Sequence, residues 1–164
     1  MVAYPETPGD DERNESPAQR LDRNWSELLQ GLRVGQTGIQ ILSGFLLTLP
    51  FQSRFTQLRP PLVGFFLAAM ILGTLAAALI VAPAMAHRLL FRQHAKDVLV
   101  RMGNVLAILG LLCISVTVSL SLVVVVGFVS GLAAGLVAGS VCLVVVLGVW
   151  VVLPLVLLRL RRRE

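Results

Sequence analysis

The segment from Gly103 to Leu158 decides the fold. It reads GNVLAILGLLCISVTVSLSLVVVVGFVSGLAAGLVAGSVCLVVVLGVWVVLPLVLL and contains no Asp, Glu, Lys, Arg or His. A soluble domain of this composition would expose extensive apolar surface and aggregate. A bilayer core about 30 Å thick accepts helices of roughly 20 apolar residues, and this segment is long enough for two of them. It therefore predicts two transmembrane helices, joined antiparallel by a short link around Gly127–Ser130.

Two more apolar stretches precede this segment. The four predicted spans are Val34–Phe51, Pro61–Ala86 with a kink at Pro83, Leu99–Val126 and Gly131–Leu158. The chain as a whole is 56% hydrophobic and 14% charged, whereas about a quarter of the residues in a soluble domain are charged. The predicted fold class is therefore all-α: an integral membrane protein with four transmembrane helices.

The N-terminal region adds an amphipathic helix to these spans. Ser16 and Gln19 have the spacing of a capping box, which indicates that a helix begins there. Apolar residues then recur at helical spacing opposite polar ones, so we expect this helix to lie at the membrane surface. Gly31 and Gly35 are expected to allow a bend into the first span. The predicted organisation is a disordered acidic tail (1–15), an amphipathic interfacial helix (16–33), a four-helix transmembrane domain (34–158) and a basic cytoplasmic tail (159–164).

The basic residues predict the orientation in the membrane. If both termini lie on the same side, twelve of the 14 lysines and arginines flank the spans on that side. Only Arg54 and Arg59 then lie on the other side. Because short cytoplasmic loops carry an excess of Lys and Arg, we expect both termini to be cytoplasmic. The predicted location is the bacterial plasma membrane, with a multi-pass topology and the lipid bilayer as the main partner.

Glycines on the fourth span form a stripe of small residues. Gly131, Gly135 and Gly139 are spaced four residues apart, as two overlapping G-x-x-x-G steps. Such spacing lets another helix backbone approach closely. Two interpretations remain open at this stage: helix packing within one chain, or homo-oligomerisation with a second copy.

Amide and hydroxyl side chains form a predicted polar face inside the membrane. Gln36, Gln40 and Ser43 lie at i, i+4 and i+7 on the first span, and Asn104 is at a similar depth on the third. Amides in hydrocarbon need partners, so we expect this face to point into the bundle near the inner leaflet. Its role is either a pocket for a polar ligand or ion, or interhelical hydrogen bonding that fixes the register of the helices.

The loop between spans two and three is basic. Arg88, Arg92, Lys96 and Arg101 are candidate contacts for anionic lipid head groups. The alternative is that these charges only set the topology. No His, Cys or carboxylate set has metal-ligand spacing, so we expect no metal.

No catalytic motif is present in the sequence. It contains no nucleophile–base arrangement, phosphate-binding loop or dinucleotide-binding turn. We therefore predict no enzyme activity and no cofactor. Because the basic residues flank apolar runs, as they do in membrane proteins, we also predict no nucleic-acid partner. The predicted function is a non-enzymatic structural or accessory membrane component, and its candidate protein partners are a second copy of the chain or another membrane protein. The alternative is a small oligomeric ion or proton transporter or channel, against which the absence of a carboxylate in any span argues.

Two stretches are similar to a known family. They are ELLQGLRVGQTGIQILSGFLLTLPFQSRF at Glu27–Phe55 and APAMAHRLLFRQHAKDVLVRMGN at Ala82–Asn104. Both resemble a family of small actinobacterial membrane proteins that is classed as a domain of unknown function. The resemblance covers residues 25–112 well and the last span only by hydrophobicity. It implies four spans with cytoplasmic ends and implies no activity or catalytic residue.

Overall fold

Four long helices make up most of the described part of the chain. The computed structural model describes residues 16–90, 96–152, 155–156 and 159–160. The helices are α1 (Pro17–Thr48), α2 (Pro60–Leu90), α3 (Lys96–Ser130) and α4 (Leu132–Leu147), with two short 3-10 turns, Leu49–Phe51 and Phe55–Gln57, and a π-helical turn, Gly148–Val152. There is no strand in these ranges, and all four helices are long and apolar enough to cross a membrane. The all-α prediction is confirmed for them, whereas the predicted acidic tail and residues 161–164 lie outside.

The start of α1 is fixed by the predicted capping box. The Ser16 Oγ atom accepts a hydrogen bond from the Gln19 backbone N–H at 3.3 Å. The Ser16 backbone N–H donates in return to Gln19 Oε1 at 2.8 Å. Pro17 occupies the first helical position, where its missing N–H costs nothing. The capping box is therefore confirmed.

The predicted bend near the glycines does not divide α1 into two helices. α1 is a single helix of 32 residues that runs through Gly31 and Gly35, which makes it about 48 Å long. A glycine costs a helix only about 1 kcal/mol relative to alanine, so it permits a bend without requiring one. Here Leu32 and Ile39 are buried on one continuous face, and Leu28 packs against the same cluster. The predicted interfacial helix and the first predicted span are therefore one uninterrupted helix that shares a buried face.

The core lies where α1, α2 and α3 meet. One cluster of buried side chains combines Leu32, Ile39, Ala76, Ile80, Ala107 and Ile114. A second, nearer the α1–α2 loop, combines Leu46, Phe66, Ala69 and Val124. Phe55 from the loop packs edge-on against Phe66, with ring centroids 5.1 Å apart. α4 packs along α3 and makes no extensive contact with α1 or α2. The described helices thus form three packed helices with a fourth attached to α3, and not a closed four-helix bundle.

The three core helices also approach closely at the end where α3 begins. Gly103 is buried there, and a Cβ atom at this position would lie 3.1 Å from Leu28 and 3.2 Å from Trp25, both on α1. It would also lie 3.6 Å from Pro83 on α2. Pro83 is buried within α2, which remains one helix from Pro60 to Leu90. The absence of a side chain at Gly103 therefore lets α1 and α2 pack on the start of α3.

A single residue turns the chain between α3 and α4. α3 continues to Ser130 and α4 begins at Leu132, so the predicted link is shorter than expected. Gly131 has φ +93° and ψ 158°, a conformation that is essentially restricted to glycine. Its backbone N–H donates to the Gly127 carbonyl at 3.1 Å. The antiparallel hairpin that was predicted for these two helices is confirmed.

Candidate functional site

The predicted polar face is divided between the inside and the outside of the chain. Gln40 and Asn104 are exposed, Gln36 is half-buried, and Ser43 is half-buried. The expectation that Gln40 and Asn104 point into the bundle is therefore wrong. Ile39 is buried, and successive residues of a helix are rotated by about 100° around its axis. The Gln40 side chain therefore points about 100° away from the buried side of α1.

The inner part of this face meets the other helices at Ser43. Its Oγ atom is buried and has no hydrogen-bond partner among the described residues. A Cβ atom at Gly73 of α2 would lie 3.3 Å from Ser43 Oγ and 3.3 Å from Thr117 Cγ2 of α3. Gly73 is therefore the position at which α2 lets a polar side chain from α1 approach α3.

A series of hydroxyl groups on α3 adds to this polar interior. Ser115, Thr117 and Ser119 are the polar side chains that are buried in the described core. Each side chain donates to a backbone carbonyl four residues earlier, as does Ser121: the acceptors are Leu111, Cys113, Ser115 and Thr117, at 2.9, 2.8, 2.8 and 2.7 Å. These hydroxyls are already satisfied within their own helix. They are not among the residues predicted from the sequence, although the alternation SVTVSLS at 115–121 is visible there.

The glycine stripe of the fourth span packs within the chain. A Cβ atom at Gly135 would lie 2.5 Å from the Val123 carbonyl oxygen, and one at Gly139 would lie 2.8 Å from the Ser119 carbonyl oxygen. Both residues are buried against α3. Gly131 is different, because nothing lies within 4 Å of its Cβ position and it forms the turn. Of the two interpretations left open, packing within one chain describes Gly135 and Gly139.

Three of the four predicted lipid-contact residues lie where α2 ends and α3 begins. Arg92 lies outside the described residues. Arg88 is in the last turn of α2 and Lys96 is the first residue of α3. Arg101 is exposed on α3. The helix termini therefore bring these basic positions to the same end of the molecule.

Two cavities lie at the opposite end, beside the α1–α2 loop and the α3–α4 turn. The larger has a volume of about 460 Å³, and its polar lining includes Gln57, Arg59 and Ser130. The smaller, of about 160 Å³, is mainly apolar but includes Gln52 and Arg54. Neither is lined by Ser115, Thr117, Ser119 or Ser121. In the described ranges no group of three or more His, Cys, Asp or Glu side chains could hold a metal ion, and Cys113 and Cys142 are free, half-buried thiols.

The chain belongs to a family of unknown function, DUF6328, whose model matches residues 14–154. The match extends across all four helices. It confirms the predicted membership in a family of unknown function. No curated protein and no solved structure matches the chain.

Proposed function

We propose that this chain is a multi-pass protein of the bacterial plasma membrane with a non-enzymatic structural or accessory role. In this proposal the four long helices are transmembrane and both termini are cytoplasmic. Two features support it. The helices are apolar over a length that could cross a membrane, and most Lys and Arg residues lie in the segments that would face the cytoplasm.

The observation that carries the proposed role is the chemistry of the interior. The polar side chains buried in the described core are hydroxyls, and those of α3 donate to carbonyls of their own helix. No Asp, Glu, Lys, Arg or His occurs from Val34 to Ser53, from Pro60 to Ala86 or from Gly103 to Leu158. Proton carriers and ion pumps use ionisable groups inside the membrane. An interior of this kind favours packing over transport through a single copy.

A second candidate function, an oligomeric transporter or channel, is favoured by one observation. Gln36 is half-buried and Gln40 is exposed, so their amides lie at the periphery of a single chain. A polar path along them would run between copies of the protein and not through one copy. This candidate therefore requires an oligomer, whereas the accessory role does not.

Flux measurements on the full-length protein distinguish the two functions. The protein would be reconstituted into liposomes at about one copy and at many copies per vesicle, with fluorescent dyes that report H⁺ and K⁺. At both densities we expect the H⁺ and K⁺ flux to equal the leak of protein-free liposomes. A pore-forming peptide serves as the positive control. Flux that appears at high density and disappears in Gln40→Leu would replace the accessory role with the oligomeric channel.

Reporter fusions test the proposed topology. A reporter after Glu164, or within Arg88–Arg101, should be active in the cytoplasm. A reporter within Arg54–Arg59 should be active outside. The physical reason is the unequal distribution of Lys and Arg between the two sides. An external C-terminus would contradict both the span number and the orientation.

The basic loop between α2 and α3 is proposed to contact anionic lipid head groups. Replacing Arg88, Arg92, Lys96 and Arg101 together with glutamine should reduce the anionic lipid that copurifies in mild detergent. Replacing Arg54 and Arg59 in the same way is the matched control, because these residues lie at the other end. If the four charges only set the topology, lipid copurification stays constant while the reporter orientation changes.

A further inference from the structure

α1 and α4 are equally uncovered by the rest of the chain, but they differ in polarity. In each, only 11% of the most apolar stretch is buried. The mean hydropathy of that stretch is 2.6 in α4 but 1.2 in α1. The exposed surface of α4 is suited to lipid, since it presents valines such as Val137, Val141 and Val144. α1 is therefore the least apolar of the four helices, and it is also one of the two that the rest of the chain covers least.

Two polar residues of α1, Thr37 and Gln40, lie on one uncovered flank of the helix. Thr37, Gln40 and Gly44 are exposed and follow one another at spacings of three and four residues. We name these three residues the α1 seam. Nothing lies within 4 Å of the Cβ position of Gly44. The same spacing of three and four residues defines the contact line of two helices that pack side by side.

The amide at the centre of the α1 seam has no partner in its own chain. Thr37 Oγ1 donates to the Arg33 carbonyl at 3.1 Å, but the side-chain amides of Gln40 and Gln36 form no hydrogen bond among the described residues. If Arg33 and Phe51 mark the two interfaces, Gln40 lies about 10 Å from one and about 16 Å from the other. Lipid tails at that depth offer neither a donor nor an acceptor.

We infer that the α1 seam binds the α1 seam of a second copy, related by a two-fold axis along the membrane normal. A primary amide has both a donor and an acceptor, so one Gln40 side chain complements another across such an axis. Thr37 and Gly44, one turn to either side, are small enough to let the two backbones approach. Copies in one membrane share an orientation, which makes the pair parallel. The inference rests on the proposed membrane placement, but not on the accessory role.

Disulfide crosslinking in native membranes tests this contact. In the full-length protein with Cys113→Ala and Cys142→Ala, Gly44→Cys places a thiol in the α1 seam. Phe45→Cys is the matched control, because Phe45 is 70% exposed at almost the same depth but on another side of α1. On mild oxidation we expect a crosslinked dimer from Gly44→Cys and none from Phe45→Cys. Equal crosslinking at both positions, no crosslinking at either, or a crosslink to a different protein overturns the inference.

Energy transfer between labelled copies in vesicles measures the role of the amide. Gln40→Leu should weaken association about five- to tenfold, as expected for losing two hydrogen bonds of average strength in a membrane. Phe45→Leu is the control, because Phe45 is 70% exposed on another side of α1. Association that is unchanged in Gln40→Leu overturns the inference. Neither readout involves flux or topology, so this failure would be distinct from that of the proposed function.

Discussion

Replacing Gly135 with alanine tests how α4 is held to α3. The added methyl group would lie 2.5 Å from the Val123 carbonyl oxygen, and 2.8 Å from both the Cα and the N atom of Gly127. Ordinary contacts of a carbon atom are about 3.5–4.0 Å. All three neighbours are backbone atoms, so no side chain can rotate away. α4 must therefore move about 1 Å away from α3 to accept one methyl group.

The expected cost follows from this geometry. Inserting extra atoms into a packed core usually costs about 1–3 kcal/mol of the free energy of unfolding. We expect a loss of about 3 kcal/mol here, at the upper end, because the displaced wall is backbone and Gly139 packs on α3 one turn further along. Gly64→Ala is the matched control: nothing lies within 4 Å of its Cβ position on α2. There the better helix propensity of alanine should add up to about 1 kcal/mol.

Denaturation in detergent micelles measures both variants. The purified full-length proteins would be titrated with sodium dodecyl sulfate, and helix loss would be followed by circular dichroism, with tryptophan fluorescence as a second probe. The prediction is a lower midpoint for Gly135→Ala and an unchanged or higher midpoint for Gly64→Ala. A Gly135→Ala unfolding free energy within about 0.5 kcal/mol of the native value, as at an ordinary surface site, would refute the close α3–α4 contact.

Two more glycine-to-alanine substitutions test the backbone conformation of Gly131 and the contact between Gly127 and Leu62. Gly131→Ala should cost about 1–3 kcal/mol, measured in the same titration, because its φ of +93° disfavours any side chain although space is available. Gly127→Ala should cost less than Gly135→Ala, because the methyl group would meet the flexible end of the Leu62 side chain at 2.7 Å. The double variant with Leu62→Ala should show favourable coupling, since the truncated side chain no longer opposes the methyl group. Additive effects of the two changes would contradict that contact.

Much of the fold could be predicted because apolar length and caps are local properties of the sequence. The apolar run from Gly103 to Leu158 contains most of α3 and all of α4, with the turn between them. The Ser16–Gln19 capping box defines the start of α1 because both of its hydrogen bonds lie within one turn. The uninterrupted α1 could not be predicted in the same way. Whether a helix bends at Gly31 depends on what Leu32 packs against, and that surface comes from distant parts of the chain.

The packing partner of a small-residue stripe is likewise not a local property. Gly135 and Gly139 indicate that some backbone approaches α4 closely. The sequence does not state whether that backbone belongs to the same chain. A link of one residue at Gly131 leaves α3 as the nearest surface, and the structure shows that α3 is the partner.

The predicted polar face shows the same ambiguity with hydrogen-bonding groups. Gln36, Gln40 and Ser43 lie within about 60° of arc on α1, so they look like one face. Ile39 is the fully buried residue nearby, and its large side chain decides which part of that arc points inward. Ser43 is turned towards Gly73 and Thr117, whereas Gln40 is turned away from the chain.

This division predicts opposite effects for two substitutions on the same face. Ser43→Ala removes a buried hydroxyl that has no hydrogen-bond partner among the described residues. It should raise the unfolding free energy by about 1 kcal/mol and leave the association of copies unchanged. Gln40→Leu should leave the unfolding free energy of the monomer almost unchanged, because the side chain is exposed there, and should weaken association. If Ser43→Ala alters association, or Gln40→Leu destabilises the monomer, the two residues form one continuous face after all. The polar residues of an apolar helix thus indicate that a partner exists, and only their burial shows whether that partner is the same chain.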